Sequence, residues 1–70
     1  MDPVSPESLV LLFLSVAHRD HQVARRRLAA RDPAGAALAL IDADRAMRQA
    51  GAVLESASDS AQTRTQSHAA

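Results

Sequence analysis

The chain contains no cysteine, lysine, tryptophan or tyrosine, and Phe13 is its single aromatic residue. Without cysteine it has neither disulfides nor thiolate metal ligands, which excludes a small secreted disulfide scaffold. Without lysine, its basic charge rests on arginine alone. Eight basic residues stand against eight acids, for a formal net charge of +0 at pH 7. A balanced chain is a poor nucleic-acid binder by overall electrostatics, although a local cluster can still act. The 70 residues make one small domain, with no room for a catalytic cleft between layers.

What the chain has in quantity is aliphatic surface, 47% of its residues being hydrophobic. Much of it is alanine, which favours helix and lets helices approach closely. The apolar run Leu9–Ala17 is nine residues long, against roughly 20 needed to span a bilayer. Asp2 and Glu7 precede it with no basic residue, the reverse of a signal peptide's charged start. The run therefore reads as half of an amphipathic helix, and the expected location is cytoplasmic.

Two helix starts are spelled out. Ser5-Pro6-Glu7 supplies a cap, a proline suited to the first helical position and an acid at the positive end of the dipole. Asp32-Pro33 repeats the logic and stops the first helix, because the residue before a proline is pushed out of helical backbone. The spacing predicts helix 1 over about 6–31 and helix 2 over about 33–57. The link is so short that the two must lie antiparallel. From Ser58 onward serine, threonine and glutamine dominate with little to bury, so 58–70 reads as a disordered tail. The expected fold is all-α, an antiparallel two-helix hairpin with that tail.

Apolar residues recur along helix 2 at Ala36, Leu40, Ala43, Met47, Ala50, Leu54 and Ala57, small and large nearly alternating. Helix 1 offers Val10, Leu14, Ala17, His21, Ala24 and Leu28, with Phe13 beside them. Facing stripes of this kind pack by knobs into holes. The predicted hairpin core is thus Val10, Phe13, Leu14, Ala17, Leu28, Leu40, Met47 and Leu54. A surplus remains at Leu9, Leu12, Val16, Val23, Leu38 and Ile41, on sides where an independent protein carries polar residues. These six are the predicted partner-binding residues, for a second copy or for a different protein.

Little in the chain points to chemistry. His18 and His21 are three apart, within reach of one metal ion, but a zinc site needs three or four ligands. No metal and no cofactor is expected. Arg25-Arg26-Arg27 makes the end of helix 1 basic, as the helix dipole favours. These arginines also define an alternative, a homodimeric four-helix-bundle regulator that binds RNA or DNA through Arg25–Arg27. Against it, three consecutive arginines fan around a helix, and no aromatic platform accompanies them. Asp42, Asp44 and Glu55 read as solvated, with Asp44 and Arg48 four apart in the order that favours an ion pair. The serines have no base or oxyanion frame around them, so an enzyme is not expected.

Arg25-Arg26-Arg27-Leu28 closing helix 1, then Arg45-Ala46-Met47 and Ala50-Gly51-Ala52-Val53-Leu54 in helix 2, resemble the small YscE-type proteins of bacterial type III secretion. The resemblance covers about Ala17 to Ala57. It implies a cytoplasmic co-chaperone that binds a larger TPR-like chaperone and helps hold the needle subunit unpolymerised. On that implication the surplus apolar residues belong to the chaperone.

Overall fold

The computed structural model describes residues 5–69, with side chains described as far as Ala61. It is an antiparallel hairpin of two helices, α1 (Pro6–Ala29) and α2 (Pro33–Ala69), packed against each other. α1 begins as its sequence dictates. Ser5 is extended and its hydroxyl accepts the Ser8 N–H at 3.1 Å, with Pro6 and Glu7 in the first turn. The expected fade of helix 2 near Ala57 does not occur there. No glycine or proline follows Gly51, and helical backbone continues through Ser58–Ala61. The rest of the expected tail, 62–70, lies outside the residues described with side chains.

The turn between the helices takes three residues. Ala30 ends α1 and Arg31 adopts left-handed backbone at φ 58°. The Asp32 N–H reaches back to the Arg27 carbonyl at 2.8 Å, and the Arg31 N–H to Leu28 at 3.0 Å. This is the Schellman closure of a helix C-terminus, with arginine where glycine is usual. Asp32 then turns from closing one helix to opening the next. Its carboxylate accepts the Gly35 N–H at 2.9 Å and its carbonyl accepts the Ala36 N–H at 3.0 Å. The same carboxylate faces the Arg27 guanidinium at 3.5 Å.

The buried residues are Val10, Ala17 and Ala24 on α1, and Ala36, Ala39, Ala43, Ala46 and Ala50 on α2. Ala17 packs against Ala43 and Ala46; one heptad on, Ala24 packs against Ala36 and Ala39. Phe13, Val53 and Ala57 are half-buried continuations of these rows. The seam is therefore almost all alanine, spaced three and four apart as in a coiled coil.

This corrects five of the eight residues of the predicted core. Val10 and Ala17 are buried and Phe13 is half-buried, but Leu14, Leu28, Leu40, Met47 and Leu54 are 40–58% exposed. The cause is steric. A row of methyl groups lets two backbones come close, whereas a row of leucines holds them apart. Once the all-small row takes the seam, the large side chains one position away ride up onto its rim. Each buried alanine methyl contributes about 0.8 kcal/mol, against about 1.5–3 kcal/mol for a fully buried leucine. The hairpin holds a thin core and wears its larger hydrophobes outside.

Candidate interaction surface

Ten large apolar side chains on the hairpin are 37–65% exposed. Their positions follow from the heptad spacing, at roughly 100° per residue. One broad face of the hairpin carries a row from each helix: Leu14, His21 and Leu28 from α1, and Leu40, Met47 and Leu54 from α2. Leu11 stands at its edge. An open groove brings His21, Leu28 and Leu40 together, with His18 and Arg25 beside them. We refer to this as the leucine face.

The opposite broad face is asymmetric. α1 gives Leu9, Val16 and Val23 at seven-residue intervals, with Leu12 further out. α2 answers with Asp42, Gln49 and Ser56. A second groove on this side runs between Pro6, Leu9, Val53, Ser56 and Ala57 at the open end of the hairpin. Of the six predicted partner-binding residues, Leu12, Val16, Leu38 and Ile41 are exposed, and Leu9 and Val23 are half-buried against the seam. Leu38 and Ile41 do not join the α1 row. They lie on the outer side of α2, away from α1.

Charged groups occupy many of the remaining described positions. Arg25, Arg26 and Arg27 are exposed, and successive steps of about 100° point them in three directions. Arg27 is engaged with Asp32. The Asp44–Arg48 pair forms at 2.9 Å between two largely exposed side chains. His18 and His21 are exposed, with Gln22 Nε2 3.5 Å from His18 Nε2. Among the described residues no three histidine, cysteine or acidic side chains gather where a metal could be held. Nor is any helix there long and apolar enough to cross a membrane. Ser15, in the middle of the apolar run, folds its hydroxyl back onto the Leu11 carbonyl at 2.9 Å, so its polarity is satisfied within its own helix.

Sequence reasoning found the apolar surplus but misplaced its larger part. Hydrophobicity alone places the two rows of the leucine face in the interior; Ala17 and Ala24 of α1, packed against Ala46 and Ala39, decide for the smaller row. Searches of protein-family models, curated proteins and solved structures return no match to this chain.

Proposed function

We propose that this chain is a helical-hairpin adaptor of the co-chaperone kind. It docks through the Leu9, Leu12, Val16 and Val23 side of α1 onto a larger helical protein. In this reading it has no catalytic role; it covers apolar surface on its partner and is itself completed by it. The observation that carries the reading is the α1 row, in which Leu12 and Val16 stand exposed beside the half-buried Leu9 and Val23. An amphipathic row with anchors at these intervals is how a helix enters a groove in another protein. The resemblance to YscE-type proteins supplies the kind of partner: a TPR-like chaperone of a type III secretion needle subunit. Leu38 and Ile41, on the far side of α2, would meet the partner only if it wraps around the hairpin.

The test is co-expression with a TPR-like chaperone and needle subunit of a type III secretion system. A stable stoichiometric complex is expected, lost when Leu12 and Val16 are both replaced by glutamate. If the wild-type chain passes through purification without either protein, the co-chaperone reading is wrong.

A further inference from the structure

The leucine face requires a different occupant from the α1 row, and its geometry points to a second copy of this chain. We infer that two hairpins stack leucine face on leucine face about a two-fold axis parallel to the helices, making an antiparallel four-helix bundle. The inference is independent of which protein takes the opposite side.

Three observations carry it. The first is pattern. Both helices present a row with strict seven-residue spacing on this face, and such a row stays in line along its whole length only against another supercoiled helix. The opposite face fails this requirement, because there a second copy would lay Leu9, Val16 and Val23 over Asp42, Gln49 and Ser56.

The second observation is register. A two-fold axis along the bundle keeps every residue at its own height and places α1 of one copy over α2 of the other. The heights follow from the seam, where Ala17 faces Ala43 and Ala46, and Ala24 faces Ala36 and Ala39. On that ruler Leu14 meets the other copy's Met47, and His21 meets Leu40. On the flanking row, Leu11 comes to Gly51, His18 to Asp44 and Arg25 to Ala37. On that flanking row each large or basic side chain of α1 falls on a small or acidic one of α2. Gly51 is the sharpest instance, since a Cβ added there would touch nothing within 4 Å. That open space lies where the other copy's Leu11 arrives.

The third observation is area. Leu11, Leu14, Leu28, Leu40, Met47 and Leu54 are 40–64% exposed. They carry on the order of 500 Å² per copy, so that two copies bury on the order of 1,000 Å², where specific interfaces begin. Isologous contacts of this kind are the commonest way a chain closes on itself.

The absence of native cysteine makes the arrangement directly testable in the full chain. Sedimentation of the wild type should give a dimer, and Met47→Glu on the leucine face should give a monomer. Leu12→Glu on the other side should leave the dimer intact. Gly51→Leu, which the isolated hairpin has room for, should weaken the dimer by about tenfold or more by filling the space for Leu11. His18→Cys and Asp44→Cys, both at exposed positions, should cross-link under mild oxidation only when the two variants are refolded together.

A wild-type monomer overturns the inference. So does a His18→Cys sample that cross-links to itself, because that requires α1 to lie on α1. A dimer that ignores the chaperone would refute the adaptor reading alone. A monomer that still binds the chaperone through Leu12 would refute the bundle alone.

Discussion

Gly35→Ala should change sign according to what stands at position 32. In the wild type, a Cβ on Gly35 would run into the Asp32 carboxylate, with Cγ only 2.9 Å away, and would press on Arg27 Cδ at 3.2 Å. The arginine can swing aside at little cost. The carboxylate cannot, because it accepts the Gly35 N–H at 2.9 Å and so caps α2. Forcing it away forfeits an N-cap worth about 1 kcal/mol, in a range of about 0.5–2 kcal/mol. That loss cancels or exceeds the gain of up to about 1 kcal/mol from replacing glycine by alanine in a helix. Asp32→Ala alone should cost about 1 kcal/mol, almost all of it the cap. The Arg27 pair adds little, its side chains being 57% and 41% exposed. Once Asp32 is alanine the obstruction is gone, and Gly35→Ala should then stabilise by about 0.5–1 kcal/mol. The coupling between the two sites is therefore on the order of 1 kcal/mol. For a domain of this size it corresponds to about 4–8 °C in melting temperature. Thermal unfolding of the four proteins by far-ultraviolet circular dichroism, at one fixed protein concentration, measures it. If Gly35→Ala stabilises equally in both backgrounds, the carboxylate does not sit over Gly35 and the account of the corner is wrong.

Three further outcomes follow from other parts of the hairpin. Arg31→Gly should raise the melting temperature slightly, since glycine removes the roughly 1 kcal/mol cost of left-handed backbone and gives some back as unfolded-chain entropy. Arg31→Val should lower it, and a reversal of this order would mean that Arg31 is not at positive φ. Ala43→Leu should cost about 1–3 kcal/mol in a denaturant titration by wedging the seam apart; full tolerance would show that the helices are not in close contact there. Asp44→Ala should cost no more than about 0.5 kcal/mol, and that small loss should disappear near 1 M salt.

The helix starts were legible because capping is local. Ser5-Pro6 and Asp32-Pro33 say where backbone can enter a helix without reference to anything distant. Which apolar row forms the seam is decided between helices, and residues 36–57 do not contain that information on their own. Ala36, Ala43, Ala50 and Ala57 belong to both candidate seams. The rows Leu40–Met47–Leu54 and Ala39–Ala46–Val53 flank them on either side, and both are apolar. Hydrophobicity alone favours burying the larger row. The hairpin buries the smaller one because α1 presents Ala17 and Ala24 opposite it, and small against small gives the shortest separation. That α2 runs about one turn past its expected end, through 58–61, has a related reason. Serine and threonine have middling helix propensity, but only glycine or proline stops a helix firmly, and neither occurs after Gly51.

A seam of alanine facing alanine has a second consequence, which concerns position rather than strength. Sliding one helix past the other by a heptad exchanges methyl for methyl and leaves the seam nearly unchanged. Such a seam carries no address. The address is written at the corner, where Arg27, Arg31 and Asp32 fix the end of one helix against the start of the next within three residues. Devices of this kind choose among packings that the core itself does not distinguish. Loosening the corner should therefore do more than lower a melting temperature. The amide resonances of the alanine rows should split into several sets, as the two helices begin to sample registers that the turn now forbids.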